Sequence, residues 1–408
     1  MLRRIKVEDL KEGMMFSEPL FFDDGKNRVL GKMHPVSQRE LSVLKQWKVP
    51  FVMTAGKTVK KTEEVAELVE ELDALPDEGE VSTAKTAAPK KQNKPTENTI
   101  LQLPDILTHS ELYTEYLAII LTMDVFLNDV KQRKPLSPRP IDGIALRLRN
   151  IMAVDRSRVI SFILSAQIPD RDMAKALVDS AILAATIANF MNLPEDYIDD
   201  IVIGALLHDC GMLRVPNTIL KKNGQLSDTE MQTVAAHTVY GYKAVLSEFM
   251  YTERVAMLVL QHHERWDGKG YPNGLDKESI EIGARIIAVV DAFVAMTSQK
   301  TYRNALLGYD AMKTLLADKG RRFDYEVIKA MIQSVGVYPI GSIVLMNDTS
   351  IARVVGIAAE APLRPSIRVL IDETGHQYPD NKGKLLDLRE YKNVFIVKAV
   401  DPLIYQKK

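Results

Sequence analysis

One cysteine, Cys210, stands in a chain of 408 residues. Its isolation excludes an intrachain disulfide framework and fits a reducing compartment, so a cytoplasmic location is expected. An excess of one charge is also missing: 53 basic side chains nearly cancel 54 acidic ones, for a net charge of −1. That balance gives no electrostatic basis for binding a nucleic-acid polymer, although a local basic cluster for a small phosphate ligand is still allowed. No segment reaches ~18 uninterrupted apolar residues, so membrane insertion is not expected. The basic residues after Met1 are not followed by an apolar stretch, which argues against a secretory signal. No internal repeat of ~20–50 residues is present. What the chain does have is 46% hydrophobic residues, enough for sizeable cores, at a length that suits two to three domains.

Residues 1–75 read as a small mixed α/β module, with short strands at Ile5–Val7 and Phe51–Met53. Ser37–Trp47 reads as a helix, in which Ser37 and Glu40 form a capping-box pattern. Residues 76–99 are polar and nearly free of large apolar groups; they cannot offset their own ordering entropy, and read as a flexible linker. Their lysines could instead dock on something acidic. Helical spacing begins at Ile100. Residues 100–150 form a helical connector, where Leu117, Ile120 and Leu121 recur at three- and four-residue steps. Pro135, Pro138 and Pro140 mark a break before the largest helical block, 151–335. There Ile182, Ala185, Ile187 and Phe190 follow another apolar stretch, Pro194 opens a helix, and Ser227 with Glu230 caps another. Beyond Pro339 the pattern becomes β-branched runs separated by turn residues, at Ser342–Met346, Ile351–Ile357, Ser366–Ile371 and Val394–Val397. Residues 336–408 therefore read as a β-rich extension of three or four strands.

Four of the seven histidines cluster in the helical block: His208, His237, His262 and His263. A single histidine on an apolar helix is ordinarily a satisfied core or surface residue. Asp209 and Asp291 are harder to explain, because each follows an apolar run where helix periodicity predicts burial, and an unpaired buried carboxylate is costly. Divalent cations would offset that cost if the two aspartates and four histidines gathered around them. Mixed imidazole and carboxylate donors suit iron, manganese, nickel or zinc. Six donors exceed one tetrahedral site and would serve two adjacent metals, the usual clamp for attack on a phosphate ester.

The segment Asp267–Pro272 reads as a turn: Gly268 and Gly270 permit positive φ and Pro272 stiffens the exit. It is either an ordinary helix connection or a loop that projects Lys269 and Tyr271 beside the metals. Lys300 and Arg303 lie about three turns beyond Asp291; they either anchor an anionic ligand or form a solvated helix end.

Taken together, His208-Asp209, His237 with Gly241, His262-His263-Glu264, Asp267-Gly268 with Gly270-Tyr271-Pro272, and Asp291 with Thr297-Ser298 and Tyr302-Arg303 resemble the HD-GYP family of HD metal-dependent phosphohydrolases. The likeness covers about residues 170–335. Residues 1–60 also look like the N-terminal module often fused to such domains, and Pro365–Ile371 like part of a C-terminal β extension. The resemblance implies an all-α HD-type helical bundle between the mixed module and the β-rich extension. It implies hydrolysis of the bacterial messenger cyclic di-GMP to pGpG or GMP by a metal-activated hydroxide. Carried over, the metal ligands are His208, Asp209, His237, His262, His263 and Asp291. Asp209 bridges two metals, and His208 and Asp209 belong to the catalytic pair. Lys300 and Arg303 match positions that hold ligand phosphate, Tyr271 lies where a guanine could stack, and Glu264 would orient the turn. The chain departs from the family at Met212, where a lysine near the scissile phosphate is usual. It departs also at Ala176, which stands for a histidine of three-metal members, and at Val294, which stands for an aspartate. Asp172 alone would not secure a third metal, so two are expected. Met212 and Val294 keep open an alternative, a weakly active or inactive cyclic di-GMP receptor or signalling scaffold. A second copy or a signalling protein as partner also stays open.

Overall fold

The computed structural model describes residues 111–165, 172–298, 306–378 and 382–400, apart from 223 and 319, together with parts of 3–59. The expected linker 76–99, the Ser37–Glu40 cap, Lys300, Tyr302 and Arg303 lie outside the described residues. The chain divides into two compact units, Met1–Ala88 and Pro89–Lys408.

In the first unit, β1 (Arg3–Lys6), β2 (Met15–Phe16), β3 (Leu20–Phe21), β4 (Arg28–Leu30), β5 (Phe51–Thr54) and β6 (Thr58–Val59) form two antiparallel sheets. One has the order β1-β5-β3-β4 and the other pairs β2 with β6. Ile5 faces Val52 in register, so both sequence-read strands belong to one sheet. Val7, Leu10, Phe16, Leu20, Leu41, Leu44 and Val52 make its core, and residues 41, 42, 44 and 45 are helical.

The second unit begins with α1 (Glu111–Lys131) and α2 (Asp142–Ser165), separated by the three prolines. The helical period of α1 is as read, but its buried face is Tyr116, Ile119, Ile120, Met123, Phe126, Leu127 and Val130. Of the residues that mark the period, Ile120 is in the core as read, Leu117 is half-buried and Leu121 is exposed. Within α2, Asp155 leaves helical geometry (φ −154°, ψ 89°), and its carboxylate accepts from the Arg158 N–H at 2.9 Å. The aspartate thus caps a second helical segment inside what reads as one helix. Because α2 runs from 142 to 165, position 150 falls inside a helix rather than at a break between segments.

The bundle is completed by α3 (Asp172–Phe190), α4 (Glu195–Leu207), α5 (Asn217–Leu220), α6 (Asp228–Ala235), α7 (His237–Ser247), α8 (Glu253–Gln261), α9 (Ile282–Thr297), α10 (Gly308–Ala317) and α11 (Tyr325–Val335). Alanine, isoleucine and leucine bury α3 almost continuously from Leu177 to Ala188, so α1, α2, α4, α9 and α11 all pack on it. Among the described residues it is the one helix long and apolar enough to cross a membrane, and 72% of that stretch is buried within the protein. At the N-terminus of α6, Ser227 and Glu230 form a complete capping box.

Five antiparallel strands, not three or four, follow: β7 (Ile343–Met346), β8 (Ile351–Gly356), β9 (Ser366–Ile371), β10 (Leu385–Asp387) and β11 (Ile396–Val400), in the order β10-β9-β8-β7-β11. The additional strand, β10, consists of Leu-Leu-Asp, which has none of the β-branched signal that marks the other four.

Candidate metal centre

Helix α4 ends on a run of buried residues, Gly204 to Leu207, which carries His208 into the core of the bundle. Asp209 leaves helical geometry and starts the short 3-10 turn Cys210–Arg214. His237 is the first residue of α7, His262 follows the last residue of α8, and Asp291 lies within α9. Gly211 lets the turn meet α7: a Cβ there would lie 1.9 Å from the His237 carbonyl oxygen.

Three imidazoles are aimed in the same way. Nδ1 of His208 lies 2.8 Å from the Ala205 carbonyl, Nδ1 of His237 lies 2.7 Å from that of Val234, and Nδ1 of His262 lies 2.7 Å from that of Val259. A carbonyl oxygen only accepts, so each Nδ1 carries its hydrogen and each Nε2 turns inward. The three rings are 1–2% exposed. Nε2 of His237 and Nε2 of His262 stand 3.3 Å apart, a repulsive contact unless a proton or a cation lies between them.

Both aspartates reach the same place. Oxygens of Asp209 lie 3.7 Å from His208 Nε2, 3.3 Å from His237 Nε2 and 3.8 Å from His262 Nε2; Asp291 Oδ1 lies 3.6 Å from His208 Nε2. Donors at bonds of ~2.1 Å to one cation stand about 3.0–3.4 Å apart at right or tetrahedral angles. The spacing here is close to that span. Donor atoms of Asp209, His237, His262 and His263 lie within 4.8 Å of one another, and so do those of His208, Asp209 and Asp291. Asp209 is common to both groups. The donor set therefore fits divalent cations.

The electrostatics are those of a crowded, buried cluster. Burial raises Asp209, but the His208, His237 and His262 imidazoles outweigh it and hold the carboxyl far below the usual range. Burial lowers His208, yet Asp209 and Asp291, with the Ala205 carbonyl, bring it up to about 9. Burial pushes His263 down to about 4, and burial with the His263 and His208 imidazoles drives His262 well below its ordinary value. These two rings stay neutral with free lone pairs at neutral pH, the state a metal donor requires.

The turn from Asp267 to Pro272 is held against this cluster. The Tyr271 ring lies 4.9 Å from that of His263, and its N–H donates to the His263 carbonyl at 3.2 Å. Gly270 permits the approach, since a Cβ there would sit 2.4 Å from the Arg265 nitrogen. Glu264 is buried, and its carboxylate accepts from the N–H groups of Asn273 (2.7 Å) and Leu275 (3.0 Å), across the turn. Lys269 is exposed.

Sequence reasoning missed several supports. Gln261 accepts the Glu281 N–H ahead of α9. Arg285 pairs with buried Asp324 at 2.7 Å and lies over the Trp266 ring, while the Trp266 backbone N–H donates to the Arg322 carbonyl. Asp324 also caps α11, a signal its place before Tyr325-Glu326 could have given. Thr297 and Ser298 donate to carbonyls of Phe293 and Val294 and so finish α9. That helix ends at Thr297. Met212 is half-buried in the 3-10 turn, and nearby Arg214 is turned onto Glu248 by two bonds of 2.6 and 2.8 Å. Asp172 is exposed at the start of α3 and belongs to neither donor group; Ala176 follows one turn later, and Val294 is buried.

Comparison with known proteins agrees with this geometry. A family model described as "HD domain" matches residues 156–327, and one described as "KOW domain associated with HD domain" matches 343–408. Over 187 residues the chain is 33% identical to the cyclic di-GMP phosphodiesterase PA4108 of Pseudomonas aeruginosa, covering 46% of this chain and 45% of that protein. It is 30% identical over 217 residues to the cyclic di-GMP phosphodiesterase PdeB of Borreliella burgdorferi, covering 53% and 55%. With the cyclic di-GMP phosphodiesterase response regulator RpfG of Xanthomonas campestris it shares 36% over 152 residues, covering 37% and 40%. The chain thus spans about half the length of the curated relatives it matches. Residues 156–327 are thus an HD domain, and the Gly-Tyr-Pro turn seated on His263 within it supports the likeness to the HD-GYP group of such domains.

Proposed function

We propose that this protein is a metal-dependent cyclic di-GMP phosphodiesterase whose products are pGpG, GMP or both. The observation that carries the reading is the convergence of His208, Asp209, His237, His262, His263 and Asp291 into two donor groups that share Asp209. Two divalent ions, of iron, manganese, nickel or zinc, would be held there, His208 and Asp291 on one side and His237, His262 and His263 on the other. Such ions lower the pKa of bound water and offset charge on a phosphodiester. The protein's own residues do the rest. Asp209 ties the two groups together, Tyr271 offers its face to a guanine, and Glu264 fixes the turn that carries Tyr271. Lys300 and Arg303 are assigned to the ligand phosphates. A cytoplasmic setting, in keeping with lone, buried Cys210, belongs to the same reading.

A second reading rests on Met212. With no ammonium at that position and Arg214 engaged by Glu248, charge stabilisation in the transition state would be weaker. The pocket would then serve as a receptor that turns over slowly.

The test is direct. Protein prepared anaerobically with manganese or ferrous iron is given cyclic di-GMP, and the products are resolved by chromatography. Linear dinucleotide or mononucleotide is expected. Micromolar binding without hydrolysis would favour the receptor, and neither binding nor hydrolysis would remove both readings. In the double variant His208→Ala, Asp209→Ala the metal content should fall; unchanged content would refute the ligand assignment.

A further inference from the structure

A separate cavity of about 330 Å3 opens beside the turn that follows Asp209. It is lined by Val130, Lys131 and Arg133 from the end of α1, Leu213 and Arg214 from the 3-10 turn, and Tyr240 from α7. None of these is among the donors of the metal centre. Its size falls in the range of small-ligand sites.

The charges in this cavity are unbalanced. Arg214 is neutralised and fixed by Glu248. The neighbouring carboxylate, Asp129, is engaged by Lys134 at 2.7 Å. Among the described residues, Lys131 and Arg133 have no acidic partner. Basic residues near a helix C-terminus are ordinary, since they answer its free carbonyls. Two features exceed that explanation. Arg214 comes from a different element. Arg133 sits at φ +55°, closing α1 through Arg133 N–H to Val130 O and Lys134 N–H to Asp129 O, the position that glycine usually fills. An arginine there strains the backbone where a glycine would not. The lining also offers two apolar surfaces, Leu213 and Tyr240, the latter 39% exposed.

We propose that this cavity binds a nucleoside monophosphate, its phosphate between Lys131 and Arg133 and its base against Leu213 and Tyr240. Paired cations match a dianionic phosphate, and a flat ring matches a leucine and a phenol. The occupant would touch the segment that holds Asp209 and, one turn past His237, the helix that holds His237. Those contacts set the occupant beside the metal centre without making it part of that centre.

The full chain, stripped of metal by chelation and dialysed, is titrated by calorimetry with GMP, guanosine and inorganic phosphate. GMP should bind without metal, at least about tenfold more tightly than guanosine or phosphate. Lys131→Ala and Arg133→Gly should each weaken GMP binding about tenfold or more. Because glycine relieves the positive φ, Arg133→Gly should hold or raise the melting temperature, which separates lost binding from lost folding. Absence of GMP binding to the chelated chain, or binding that both variants leave unchanged, would overturn the proposal. Phosphate binding as tight as GMP binding would overturn its nucleoside part. Hydrolysis of cyclic di-GMP is assayed separately on the metal-loaded chain, so failure of the enzyme reading leaves the GMP isotherm informative.

Discussion

At Gly211 a single methyl group decides whether two donor-bearing segments can meet. Its Cβ would fall 1.9 Å from the His237 carbonyl oxygen and 2.7 Å from the Gly241 nitrogen, all backbone, so no side chain can swing away. Gly211→Ala should therefore cost about 2–3 kcal/mol by overpacking and push Asp209 away from His237. A lower urea midpoint together with reduced metal content would bear this out; a stable variant with full metal would count against the close approach. Met212 is the other decisive position. Restoring an ammonium there by Met212→Lys should raise kcat about tenfold, with KM little changed, in steady-state kinetics. An unchanged kcat would mean that the missing charge does not limit the reaction. Much of this site shows in the sequence because Asp209 and Asp291 are carboxylates placed against apolar helical runs, a conflict that calls for a partner. The strain at Arg133 does not show, because a left-handed helix end is ordinarily announced by glycine, and here nothing announces it.

At the scale of elements, the break in α2 is the feature with a measurable energy. Asp155 accepts from Arg158 N–H and starts a new helical segment, and the HD-domain match begins at the next residue, 156. Asp155→Ala removes that acceptor and should destabilise the second unit by about 1 kcal/mol, read from chemical denaturation. No loss of stability would mean that solvent serves the Arg158 N–H equally well. The long helices could be read from composition and period, since α1 and α3 each repeat apolar residues over many turns. Their facing was less legible: Leu117, Ile120 and Leu121 satisfy the spacing in α1, yet of these only Ile120 is buried, and Tyr116, Ile119 and Met123 share the core with it. Spacing gives a stripe; which neighbouring stripe is buried depends on the helices packed against it. Strands of two or three residues, such as β2, β3 and β10, are too short to show a period, and pairing with their neighbours defines them.

At the scale of the whole molecule, binding at the donor cluster is coupled to the stability of the unit that contains it. The donors come from α4 and the residues after it, from α7, α8 and α9, so a cation held among them ties four helices together. At free metal about 1,000-fold above its Kd, one site adds about 4 kcal/mol, which for a domain of this size is roughly a 10 °C rise in Tm. Chelation should reverse that rise, measured by calorimetry with and without a strong chelator. A Tm indifferent to chelation would show that the cluster does not hold metal in solution.

The tethers on His208, His237 and His262 have a consequence for how freely the family can vary. In many proteins an imidazole is oriented by a neighbouring carboxylate, and replacing that neighbour loosens the ring. Here each ring is steered by the peptide carbonyl of a residue three positions upstream. Peptide groups are present whatever the codon specifies, so Ala205, Val234 and Val259 can drift to other helix-compatible residues without releasing the histidines they guide. Evolution can therefore rewrite the helices around this cage while its tautomers stay fixed.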